Sequence, residues 1–156
     1  MKTLLATLSL FLALTGAVRA AADSEDLPPT TVRFSAVCED GYPDSKEMVM
    51  KGRSAGATTK LTVLNEPIIT EKDIQKAKVV PEAGKFNIVI TLKPTGQTKL
   101  NEGVADLLNK QLAIIVNDEL VSAPILRSVK FASMVQISGD FTEAQATKIA
   151  EDLSHY

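Results

Sequence analysis

The sequence predicts an α+β fold, a mostly antiparallel sheet with two amphipathic helices packed on one face. Three observations carry that expectation. Phe86, Ile88, Ile90 and Leu92 alternate cleanly behind the turn-rich Pro81-Glu82-Ala83-Gly84, the pattern of a half-buried strand in a hairpin. Leu100, Val104, Leu107 and Leu108 fall at i, i+4, i+7 and i+8, one stripe of a helix. Thr142-Glu143-Ala144-Gln145 is a capping box that opens a second stripe of Ala146, Ile149, Ala150 and Leu153. Hairpins imply antiparallel pairing, and two such helices can cover one face of a sheet.

The elements follow in order. Lys2, an apolar run over residues 4–14 and the small-residue site Val18-Arg19-Ala20 read as a secretory signal peptide over residues 1–20, cut after Ala20, with the Ala20-Ala21-Ala22 run offering a second site. The run falls short of the roughly 20 residues a membrane span needs, and no later segment is apolar enough to span. The mature chain is therefore expected to be exported, to a bacterial periplasm or beyond. Residues 21–30 are acidic and Pro-rich and read as a flexible lead-in, which leaves 31–156 as the domain. Val32, Phe34 and Ala36 alternate as a strand that carries the lone Cys38, read as a buried structural thiol. Residues 39–59 are polar and Gly-rich and read as a long loop, after which Leu61 and Val63 begin another strand. Thr70 and Asp73 echo a capping box and predict a short helix ending near Lys76. Pro94-Thr95-Gly96 closes the strand before the first long helix. Residues 112–116 are continuously apolar, as in a strand buried on both faces. Asn117-Asp118-Glu119 makes a turn, residues 120–125 return as its partner, and residues 134–137 add a strand. The last helix, with Phe141 as its hydrophobic staple, is expected to close the core, and residues 154–156 to be dispensable.

Composition narrows the function classes. The chain has 156 residues, 45% hydrophobic and 23% charged, which suits a globular domain rather than a disordered one. Its 17 basic residues against 19 acidic ones argue against nucleic-acid binding, which needs a basic patch. One His and one Cys exclude multi-ligand zinc sites and a disulfide framework. No metal or cofactor is expected.

Gly52-Arg53-Ser54-Ala55-Gly56 matches the G-x-S-x-G elbow of hydrolases, with acids and His155 following. The elbow needs a strand-to-helix turn beneath an oxyanion hole. Here the segment leads into β-like sequence, and His155 is second from the end, where chains fray. A Gly/Ser loop is the simpler reading, so the chain is not expected to be an enzyme. The adjacent acids Glu39-Asp40 and Asp118-Glu119 point to opposite faces and read as solvated turn charges.

The stretch Gln111-Leu112-Ala113-Ile114-Ile115-Val116-Asn117-Asp118-Glu119-Leu120-Val121-Ser122-Ala123-Pro124 resembles a segment of the SecD protein-export translocase family, which has LAIVLDGKVISAP there. Residues 134–146, MVQISGDF followed by TEAQA, are similar to the family's ISG-F-T-x-x-E-A. Residues 68–77 resemble its ltg-x-d-I-x-x-A segment. The likeness is to the head subdomain of the first periplasmic domain and covers about residues 31–153. It implies a stand-alone secreted head-like module that contacts exported polypeptides or the translocase without catalysis. An envelope protein reusing the head fold for an unrelated ligand, and a small hydrolase using Ser54, are the alternatives. Members also carry a base subdomain and membrane helices that couple proton flow to export, and none of these is matched here. The Gly-rich turn that precedes the family's ISG is replaced by Phe131-Ala132-Ser133. The matching positions Ala113, Ile114, Val121, Ser122, Ala123, Pro124, Ile137, Ser138, Gly139, Phe141 and Thr142 are expected to be held for structure, as turn and core residues. The sequence leaves the oligomeric state open.

Overall fold

The computed structural model describes residues 28–51 and 57–156. The signal peptide, most of the lead-in and Ser54 lie outside the described residues. The fold is α+β with every strand pairing antiparallel. The strands divide between two sheets. One runs β2 (Ser45–Lys51), β3 (Thr58–Leu64), β1 (Val32–Cys38), β7 (Leu112–Val116), β8 (Glu119–Ser122), with the two-residue β4 (Ile69–Thr70) pairing β1. The other runs β5 (Ile74–Glu82), β6 (Lys85–Leu92), β9 (Met134–Ile137).

The main core lies between these sheets and the two helices, α1 (Pro94–Gly103) and α2 (Glu143–Leu153). Phe34, Ile88, Ile90, Leu100, Ile137 and Leu153 are fully buried there. The four stripe residues predicted for α2 are all buried. Its cap is formed as expected, with Gln145 N–H donating to Thr142 Oγ1 at 3.2 Å and Thr142 N–H donating to Gln145 Oε1 at 2.9 Å. β7 is buried on both faces: Leu112, Ile114 and Val116 face the main core, and Ala113 and Ile115 face a second, smaller cluster with Met48, Val63 and Leu120.

Several expectations need correction. Residues 45–51, read as loop, form β2, an outer strand that pairs β3 over its whole length. Only Met48 on it is buried, so its alternation is faint in sequence. The helix expected from Thr70 is one 3₁₀ turn, Glu71–Asp73, and Ile74 already begins β5. Pro94 opens α1 at its first position, where a missing N–H costs nothing. That helix stops at Gly103, which leaves Leu107 half-buried beyond it and Leu108 exposed. The β5–β6 turn is Ala83-Gly84 alone, both at positive φ, as in the two-residue turns that match strand twist. β8 ends at Ser122, and Ile125 returns only as an isolated bridge to Gln111. Cys38 is half-buried, its Sγ 3.6 Å from the Thr62 carbonyl oxygen. Thr30, placed in the flexible lead-in, is buried: its N–H and Oγ1 donate to Asp152 Oδ2 at 3.1 and 2.6 Å.

Candidate functional site

The five-stranded path curls. Its two end strands, β2 and β8, lie within 8 Å of each other yet share no ladder. A groove of about 950 Å³ runs along this seam, bounded by β2, β8, residues 28–31 and the start of α2. Met48, Leu120, Phe141 and Ile149 supply its apolar lining. Residues of both orientations on β2 and on β8 line it, which puts the backbone edges of the strands along its walls.

The ordering of the walls begins with the chain around Thr30. Thr31 N–H donates to Asn117 Oδ1 at 2.9 Å, and Asn117 N–H donates back to the Thr31 carbonyl at 3.0 Å. Tyr156 Oη donates to the Thr30 carbonyl at 3.3 Å. These bonds join the β7–β8 turn to the end of α2 through one short strap. Burial would raise the pKa of Asp152, but hydrogen bonds from the Thr30 hydroxyl and Lys148 outweigh it and hold the carboxyl below its ordinary value.

The acidic residues around the groove are each engaged by a cation. Asp118 meets Arg33 at 2.7 Å, Glu47 meets Lys60 at 2.9 Å, Asp140 meets Lys85 at 2.8 Å and Glu119 meets Lys51 at 3.8 Å. Lys148 is held by Asp152 at 3.0 Å. Half-buried Lys46 makes no ion pair among the described residues. No group of three or more His, Cys, Asp or Glu that could hold a metal occurs among the described residues.

The residues singled out from sequence fall in two groups. Val121 and Phe141 line the groove, while Ala113, Ile114 and Ile137 are buried in the two cores. Ser122 ends β8 beside the bulge at Ile114/Ile115. Gln111 Nε2 donates to the Ala123 carbonyl at 3.1 Å, and Leu112 N–H donates to the Pro124 carbonyl at 3.0 Å. Ser138 Oγ accepts from Gln136 Nε2 at 3.3 Å. Gly139 leaves room for the Phe141 ring, since a Cβ there would stand 2.7 Å from Cε2. Thr142 caps α2. The elements on either side of the G-x-S-x-G segment are both strands, and His155 is exposed. Sequence reasoning missed Lys46 and Val49, and left Met48 in a loop, because it read β2 as loop. The one available signal was Met48 and Met50 alternating with Glu47 and Val49.

A family model describing the SecDF P1 head subdomain matches residues 46–155. The protein translocase subunit SecD of Aquifex aeolicus is 34% identical over 85 residues, which is 54% of this chain and 17% of that protein. Its counterpart from Calditerrivibrio nitroreducens is 28% identical over 113 residues, 67% of this chain and 22% of that protein. The chain thus spans about a fifth of the length of these relatives. Among solved structures, a membrane component SecDF that enhances protein export superimposes with TM-score 0.61 at 19% identity, covering 81% of this chain and 62% of that one. SecDF in a super-membrane-facing form gives TM-score 0.62 at 19% identity, covering 80% of this chain and 18% of that one. At that identity the likeness is one of fold.

Proposed function

The chain belongs to the family of the SecDF P1 head subdomain, and from that premise we propose that it is a non-catalytic accessory module of protein export whose groove receives extended segments of exported polypeptide. One observation carries this reading: the family match over residues 46–155 takes in β2, β8 and α2, the main walls of the groove. Two sheet edges above an apolar lining suit extended chains, because main-chain hydrogen bonds give affinity with little demand on sequence. That tolerance is what a module meeting many exported chains requires. Acids that are already paired with cations suit docking better than proton transfer. In this reading the family-signature residues act by holding the walls, through Thr142 at the α2 cap and the Ile137-Ser138-Gly139 strand end.

In this reading residues 1–20 are a leader removed on export, so the mature protein starts at Ala21 or shortly after and is recovered in the exported fraction; mass spectrometry of the purified protein checks that terminus. Among the described residues no helix is long and apolar enough to cross a membrane. The functional test is site-specific photo-crosslinking in cells. A crosslinker at Val49, an exposed residue in the groove, should capture secreted precursors or translocase subunits. The same group at Lys78, exposed on the other sheet, should not. Equal capture at both positions, or at neither, would defeat the reading.

A further inference from the structure

We infer that an extended polypeptide inserts as a strand between β2 and β8 and closes the curled sheet into a barrel, with an acidic side chain meeting Lys46; this rests on the reading above and names its ligand. The argument begins with parity. The path β2-β3-β1-β7-β8 has five strands joined by antiparallel steps, so its two end strands run in the same direction. Closing the sheet directly would demand a parallel β2–β8 pair, the slightly weaker kind of ladder. One added strand can instead run antiparallel to both edges. Five strands stay open for want of a sixth.

The spacing fits with a modest adjustment. Neighbouring strands sit about 4.8 Å apart, so a strand bonded to both walls needs them roughly 9.6 Å apart. They now lie within 8 Å of each other, so insertion parts them by a few ångströms. The ion pair that crosses the seam, Lys51–Glu119 at 3.8 Å, joins two largely exposed side chains and resists this little. Parting the walls would uncover Met48 and Leu120, which the inward side chains of the new strand would cover again. Lys46 lies two residues from Met48, so it points to the same face of β2. A carboxylate two positions along from an apolar residue over Met48 would therefore reach the one groove cation that lacks an ion pair among the described residues.

The test uses the mature chain and a ten-residue peptide of alternating Thr and Val, with Glu at both ends of the Val row. A control peptide carries Lys in both places. Hydrogen exchange should slow in both β2 and β8 on adding the Glu peptide. Fluorescence anisotropy should show it binding about threefold tighter than the Lys peptide, the scale of a half-exposed ion pair. Lys46→Glu should reverse that order. Protection of one edge only, protection elsewhere, or equal affinity for the two peptides would overturn the inference. Edges already protected in the free chain, and released by deleting residues 21–27 or by dilution, would assign the seam to this chain's own acidic segment or to a second copy, and would overturn it as well. Crosslinks from Val49 to precursors without edge protection would leave the export reading standing while this inference falls.

Discussion

Gly96 sits where α1 presses onto the 3₁₀ turn before β5. A Cβ there would stand 2.6 Å from the Asp73 carbonyl oxygen and 2.8 Å from Asp73 Cβ, and neither is a flexible group that can swing away. Gly96→Ala should therefore destabilise the fold by about 1–3 kcal/mol despite the better helix propensity of Ala, and urea denaturation checks it; an unchanged midpoint would mean that α1 can shift freely. Asp73 is itself buried. Burial would raise its pKa, but hydrogen bonds from Lys99, at 2.7 Å, and from the Thr70 N–H, at 3.1 Å, hold it below the ordinary carboxylate value. Asp152 is lowered in the same sense. A depressed folded pKa means that the unfolded chain binds more protons, so stability rises with pH through this range. The contribution should be complete above the unfolded value near pH 3.9 and fall away as pH drops through the lower folded values. Asp152→Asn should be less stable than wild type at pH 7, with the gap shrinking as pH falls from 4 to 2; thermal melts at matched ionic strength would show a constant gap if the carboxylate plays no such part.

At the scale of elements, the last turn of the chain does more than its sequence advertises. Ser154 Oγ accepts from the Ala77 N–H at 3.2 Å on the outer strand β5, and Tyr156 reaches the Thr30 carbonyl. Removing residues 154–156, harmless by sequence reasoning, should cost about 1–2 kcal/mol through the orphaned β5 amide and the loosened strap. Truncation before Phe141 should unfold the domain, because it removes Ala146, Ile149, Ala150 and Leu153 from the core. Equal stability of the two truncations by chemical denaturation would make α2 an appendage. The contrast shows which elements sequence can reveal. α2, β6 and β7 were legible because each buries a full face or both, so periodicity records burial directly. β2 was not: as an outer strand it fully buries only Met48, half-buries Met50 and carries polar or exposed residues elsewhere. The groove inherits that blindness, since one of its walls is β2 and another is the strap, whose Thr30 is buried through hydrogen bonds rather than through an apolar side chain.

Across the whole molecule, two cores of unequal size lie on the two faces of β7, and their inequality predicts how the protein opens. The main core binds β1, β4 to β7, β9 and both helices into one unit. Beside the exposed Lys51–Glu119 pair, the β2–β3 hairpin reaches that unit through two thinner connections. One is a short ladder with the end of β1, Val37↔Val63 and Cys38↔Thr62. The other is the small cluster in which Met48 and Val63 pack on Ala113, Ile115 and Leu120. The hairpin can therefore undock while the main core stays intact, as a low-stability cooperative unit. Amides of residues 45–51 and 58–64 should exchange ahead of those in 85–92 and 143–153 under native conditions. Ile115→Ala should widen that difference, since it empties the smaller core beneath the hairpin at a cost of roughly 2–5 kcal/mol. Ile137→Ala, in the main core, should instead lower protection throughout. Matching protection in both regions, with Ile115→Ala and Ile137→Ala acting alike, would show a single cooperative unit. A seam that parts to admit a strand would then require unfolding of the whole domain rather than movement of one hairpin.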